Sequence, residues 1–132
     1  MLTVETYLDK SPGRGIGLFA KTDIRKGTTY WIRNEAFDKI ISPEEIDLLP
    51  HLSMFFVKNY AFLENTGKWY LCSDNDRFCN HSYKANTTSE FDQDGLIIKC
   101  TALQDIKAGE EIFCNYMEIC RSCIHGVDFE EC

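Results

Sequence analysis

RFCNHS, residues 77–82, sets one Arg, one Phe, one Cys, one Asn, one His and one Ser side by side in an otherwise ordinary acidic chain. By itself the stretch reads as a helix end or turn in which Asn80 caps backbone groups and His81 is a satisfied interior histidine. The flanking sequence gives it a setting. Upstream, AFLENTGKWYLCS (61–73) reads as a hairpin around Asn65-Thr66-Gly67, and downstream GLIIKCTAL (95–103) is the strongest later strand. Lys107 to Glu110 form a turn before EIFCNY (111–116).

Further out, TVETYL (3–8) alternates like a strand, SPGRGIG (11–17) reads as a glycine-rich loop, and TYWIRN (29–34) as another strand. In SPEEIDLLP (42–50), Ser42 at the N-cap, Pro43 at the first helical position and Glu45 three residues after the cap predict a short helix with a capping box. HLSMFFVKNY (51–60) fits a second helix. Many short strands with little helix predict a mainly β fold.

A chain of 132 residues has room for one domain, and 44% hydrophobic with 27% charged residues is the composition of a globular one. No apolar run reaches the ~18 residues of a membrane span, and MLTVETYLDK has neither the basic start nor the apolar stretch of a signal peptide. An intracellular protein is therefore expected. Seven unevenly spaced cysteines do not make a full disulfide framework, so most are expected to be reduced. A net charge of −7 argues against direct binding to nucleic acid and is compatible with a Lys/Arg-rich partner.

Two further motifs carry chemistry. GRGIG (13–17) offers backbone that a ligand can approach closely at Gly15 and Gly17, and Arg14 beside them suits a carboxylate. It is not the dinucleotide fingerprint, which needs its third glycine three residues after the second, where Leu18 stands, and a following helix. GEEIFCNY (109–116) by itself is a turn, a strand and a tyrosine whose ring packs while its hydroxyl finds a partner.

Taken in order, SPGRGIGLFA, RFCNHSYKAN and GEEIFCNY make the chain resemble the SET domain, the protein-lysine methyltransferase fold. The resemblance covers roughly residues 11–117 and implies several small curved sheets with short helices and a C-terminal pseudo-knot that lays NHS beside the last tyrosine. It implies a SET domain over 1–117, with an insert at about 35–72 and a short cysteine-containing tail at 118–132. The implied cofactor is S-adenosylmethionine, held by Arg14, Gly15, Ile16, Gly17, Arg77, Phe78, Asn80, His81, Tyr116 and the tail's Phe129. Tyr116 matches the family's catalytic tyrosine, and Tyr60, Cys114 and Tyr116 are the expected lining of the substrate channel.

The implied reaction is methyl transfer to a protein lysine, with a histone tail favoured, and so histone methylation in chromatin. The chain would be nuclear or chromatin-associated in a eukaryote and cytoplasmic otherwise. A homodimer is compatible with the small size. Departures from the family pattern are Trp31-Ile32-Arg33-Asn34, where a Glu-Tyr-x-Gly run is usual, Ala85 in place of proline, and Cys114 in place of Phe or Tyr. A tail without metal is preferred over a zinc set of Cys120, Cys123, His125 and Cys132. Two other readings stay open: a SET-fold interaction module with little or no catalysis, and a small zinc-binding adaptor built on the tail.

Overall fold

Turn chemistry sets the frame. The structure, a computed structural model, describes residues 1–119. Strands β1 (Thr6–Ser11) and β2 (Gly15–Ala20) form an antiparallel hairpin in which Ser11 pairs with Gly15, closed by Pro12, Gly13 and Arg14. Gly13 and Gly15 take φ of 74° and 82°, a region that residues with a Cβ avoid. The sequence reading of residues 11–17 as one long loop is thereby corrected. The connection needs only three residues, so Gly15, Ile16 and Gly17 are strand residues with their backbone in the ladder. The first strand also begins at Thr6, later than the alternation over 3–8 predicts, and Leu2 instead bridges to Trp31.

Strand β3 (Thr29–Ile32) joins an antiparallel three-stranded sheet whose other members arrive much later in the chain. Between them in the chain come β4 (Lys39–Ile41), α1 (Pro43–Asp47), α2 (His51–Tyr60), β5 (Phe62–Leu63) and β6 (Trp69–Leu71). Its strands pair antiparallel in the order β4-β6-β5. The capping box forms as expected: Ser42 Oγ accepts from the Glu45 N–H at 3.2 Å and the Glu45 carboxylate accepts from the Ser42 N–H at 2.8 Å. Such a cap contributes about 1 kcal/mol. Ile46 of α1, Val57 of α2 and Ile41 of β4 make a small second core, while Leu48, Leu52 and Phe55 face outward.

A 3-10 turn over Asn75–Phe78, capped by Asp74, leads into β7 (Asn80–His81). Strands β8 (Thr87–Phe91) and β9 (Ile97–Ala102) complete the sheet in the order β3-β9-β8. Finally β10 (Phe113–Cys114) lies parallel to β7, and α3 (Tyr116–Ile119) follows. Among the described residues four small sheets thus enclose one main core, in which Leu18, Tyr30, Trp31, Tyr70, Ile106 and Ile112 are almost wholly buried. The mainly β expectation holds.

The departure at residues 31–34 has a structural role here. The Arg33 guanidinium pairs with the buried Glu64 carboxylate at 2.5 Å and lies over the Tyr70 ring, 4.3 Å from its centre. The Tyr70 hydroxyl in turn donates to buried Asp38 at 2.5 Å. The pair ties the β5–β6 hairpin to the end of β3.

Candidate functional site

Asn80 is where the three motifs meet. Its amide nitrogen donates to the Ile16 carbonyl at 3.0 Å and to Glu111 Oε1 at 2.8 Å. Glu111 Oε2 accepts from the Ser11 hydroxyl at 2.9 Å. One carboxylate thus fastens the base of the first hairpin to RFCNHS, from a position inside GEEIFCNY. Gly17 lies directly over it, and an added Cβ would collide with the Glu111 carboxyl. Here the glycine serves close packing, since its φ is ordinary. Buried Asn86 adds two more links, donating to the Glu111 carbonyl and accepting from the Phe113 N–H, both at 2.8 Å.

Below this network β7 and β10 run side by side, Phe113 opposite Asn80 and Cys114 opposite His81. The Ser82 N–H extends the pairing to the Cys114 carbonyl at 3.0 Å. His81 Nδ1 accepts from the Tyr116 N–H at 3.0 Å, which puts the neutral ring's proton on Nε2. Burial, and then the charge of Arg14, push the imidazole's pKa down and keep it neutral at pH 7. The Tyr116 hydroxyl donates to the Cys79 carbonyl at 2.7 Å. The last tyrosine is therefore fixed at its backbone by His81 and at its tip by the residue before Asn80.

The residues predicted to hold a cofactor divide into two groups. Arg14, Gly15, Ile16, Gly17, Asn80 and His81 cluster around the first hairpin and β7. An added Cβ at Gly15 would meet nothing, Ile16 is half exposed, and Arg14 stretches over Phe113 with its Nε buried and without a partner among the described residues. Open space beside Gly15 and an unpartnered Arg14 Nε fit the amino-acid end of S-adenosylmethionine, whose carboxylate is a suitable acceptor. Arg77 and Tyr116 lie instead in the wall of a cavity of about 300 Å³, and Phe78 packs edge-on against Tyr60, 5.2 Å between ring centres. The three predicted channel residues, Tyr60, Cys114 and Tyr116, all line that cavity. Phe129 and the set Cys120, Cys123, His125 and Cys132 lie outside the described residues.

Residues 15–117, more than three quarters of the chain, match the family model described as SET domain. The chain belongs to the SET domain family. The mouse protein-lysine N-trimethyltransferase SMYD5 is 36% identical to this SET domain over 76 residues, which are 53% of the chain and 18% of the mouse protein. Among solved structures, ctPRC2 in an autoinhibited conformation bound to S-adenosylmethionine aligns with a TM-score of 0.66 and 28% identity, over 89% of this chain and 16% of that one. An inhibitor-bound, humanized mutant of the Chaetomium thermophilum Polycomb Repressive Complex 2 gives 0.65 and 29%, over 89% and 15%. The chain thus spans less than a fifth of the length of each.

Sequence reasoning missed Glu111, Ser11 and the β3 residues Tyr30 and Trp31 in the cavity wall. Glu111 reads locally as the second acid of a turn, and nothing nearby in sequence shows that it faces Asn80. Trp31 heads the stretch that departs from the family's usual run, and it lines the cavity.

Proposed function

We propose that this SET domain transfers methyl groups from S-adenosylmethionine to a lysine side chain of a protein, with a Lys/Arg-rich segment such as a histone tail as the favoured substrate. The observation that carries the reading is the placement of the Tyr116 hydroxyl, held on the Cys79 carbonyl at the wall of the cavity and one strand from the Arg14–Asn80 cluster. S-adenosylmethionine, when bound, supplies a methyl group already activated on a sulfonium.

The chain's own residues then align and desolvate the amine. A lysine with a pKa near 10.4 is mostly protonated at pH 7, and forming the free amine costs about 4–5 kcal/mol. A cavity walled by Trp31, Tyr60, Phe62, Cys100 and Cys114 disfavours the charged form by desolvation. Tyr116 orients the amine, and the carbonyls of Asn80 on β7 and of Cys79 just before it can accept weak C–H contacts from a polarised methyl. The −7 charge favours approach of a cationic peptide. At Cys114 a small side chain leaves room for amines already carrying methyl groups, so di- and trimethyl products are expected.

The test is methyl transfer from labelled S-adenosylmethionine to core histones and total cell protein, run beside Tyr116→Phe. Label on protein lysine that falls sharply in the variant supports the reading. A protein that neither binds the cofactor nor labels any substrate overturns it.

A further inference from the structure

Asp76 stands just before RFCNHS, in the 3-10 turn, and lines the same cavity as Tyr60 and Tyr116. Among the described residues its Oδ2 takes only a long contact from the Cys72 thiol at 3.7 Å, and its Oδ1 is buried with no hydrogen-bond partner. Among the described residues no cation lies within ion-pair distance of it. Arg77, its neighbour in sequence, is turned away onto the rings of Phe78 and Phe56, 5.3 and 5.7 Å from their centres. Trp31 Nε1 and Arg77 Nε, from two other residues lining the cavity, are also buried without partners among the described residues. A buried carboxyl without a counter-charge is costly unless something arrives to pair with it. Here the space beside it is a cavity of about 300 Å³ whose other lining residues are mostly aromatic and thiol in character.

We infer that Asp76 is the polar end of this cavity, the group that receives the terminal ammonium of the substrate and takes its proton. This rests on the methyltransferase reading for the identity of the amine as a lysine. The step balances simply: an N–H bond breaks, an O–H bond forms on the Asp76 carboxylate, and the electron pair stays on nitrogen as the lone pair that attacks the methyl group. In an apolar cavity the neutral pair of amine and carboxylic acid is favoured over the ion pair, the reverse of their order in water.

The electrostatic surroundings fit the task. Burial, and then the negative charge of Asp74, raise the Asp76 carboxyl to about 7. Asp38 pushes the same way, and the Met1 amino group and the Cys72 thiol oppose it. Of the other titratable groups in the cavity wall, the Tyr30 hydroxyl and the thiols of Cys72, Cys79, Cys100 and Cys114 are all raised and stay neutral, and Lys58 and Arg77 are cationic members of the wall. A carboxyl that titrates near neutral pH is half ionised there and suited to proton exchange.

The test uses n-butylammonium, the charged end of a lysine side chain, with n-butanol as its neutral counterpart, titrated into the whole chain and followed by NMR. The amine stays charged from pH 5.5 to 8.5, so any change in its binding reports the protein. Wild-type protein should bind it about ten-fold or more tightly at pH 8.5 than at 5.5. Asp76→Asn and Asp76→Ser should bind it weakly at both values, with butanol binding unchanged. Equal binding at the two pH values in wild type, or full-strength binding by a folded variant, would overturn the inference without reference to any variant's activity. Calorimetric titration with S-adenosylmethionine separates the two readings: amine binding without cofactor binding removes the methyltransferase assignment, and cofactor binding without pH-dependent amine binding removes the role of Asp76.

Discussion

The Tyr116 hydroxyl and the Cys79 carbonyl are joined by a 2.7 Å hydrogen bond between residues 37 positions apart. The contact crosses from α3 to the residue before β7, and both partners line the cavity. It holds the phenol at a fixed angle before any substrate arrives, which is what alignment of an amine for displacement requires.

Replacing Tyr116 by Phe keeps the ring and removes that bond. Stability should fall by only about 1 kcal/mol. Methyl transfer should fall by roughly 100-fold or more, because an orienting group at the reacting centre is lost. Turnover measured with labelled S-adenosylmethionine, beside a thermal melt, separates the two effects; an equal loss in both would make Tyr116 merely structural.

Gly17→Ala should be disruptive out of proportion to one methyl group. The new Cβ meets the Glu111 carboxyl, so either that carboxylate leaves Asn80 and Ser11 or the hairpin shifts. A cost of about 1–3 kcal/mol is expected. Gly15→Ala meets no atom and is strained only through its φ of 82°. Combining Gly17→Ala with Glu111→Gly should recover part of the loss in denaturant melts, whereas purely additive losses would deny the contact.

Asp76→Asn should stabilise the protein, and more so at higher pH. Its folded pKa of about 7 exceeds the unfolded value of 3.8, so the unfolded chain gives up the proton first as pH rises. Native stability is therefore lost between about pH 4 and 7, by up to roughly 4 kcal/mol at 1.36 kcal/mol per pH unit. Melts at pH 4 and pH 8 should show a larger gain for the variant at pH 8. A gain that does not grow with pH would contradict the burial of an ionised carboxyl.

Glu64→Gln should cost about 3 kcal/mol. It leaves the Arg33 guanidinium, only 10% exposed, without its bidentate partner against the Tyr70 ring. The double variant Arg33→Met, Glu64→Leu should be much less destabilised, because the remaining surface is then apolar. Chemical denaturation of both variants checks the pair.

Cys114→Tyr should narrow the cavity next to Tyr116 and shift products toward monomethyllysine, as read by mass spectrometry of a labelled histone peptide. An unchanged product distribution would place the limit on methyl number elsewhere in the wall.

Much of the frame was legible along the chain because its signals are local. The capping box at Ser42 and Glu45 and the hairpin around Asn65 to Gly67 each depend on backbone groups within a few positions. The order of the three motifs carried the family, and Tyr60, Cys114 and Tyr116 were assigned to one channel on that resemblance. Less legible was where the glycine motif stops being a turn, since strand pairing of Gly15 with Ser11 is decided by a partner strand.

What the sequence by itself determined was the inventory: a β-rich domain, three polar motifs in a set order, and a tyrosine at the end of the third. Tertiary structure alone decided that Glu111, Ser11 and Gly17 form one joint with Asn80, and that Asp76 is a part-buried acid beside a cavity. The physical reason is range. Propensities and caps act over a turn or two, whereas a carboxylate's burial and partners depend on strands brought together from 30 to 100 residues away, as the Asn80–Glu111 and Ser11–Glu111 contacts are.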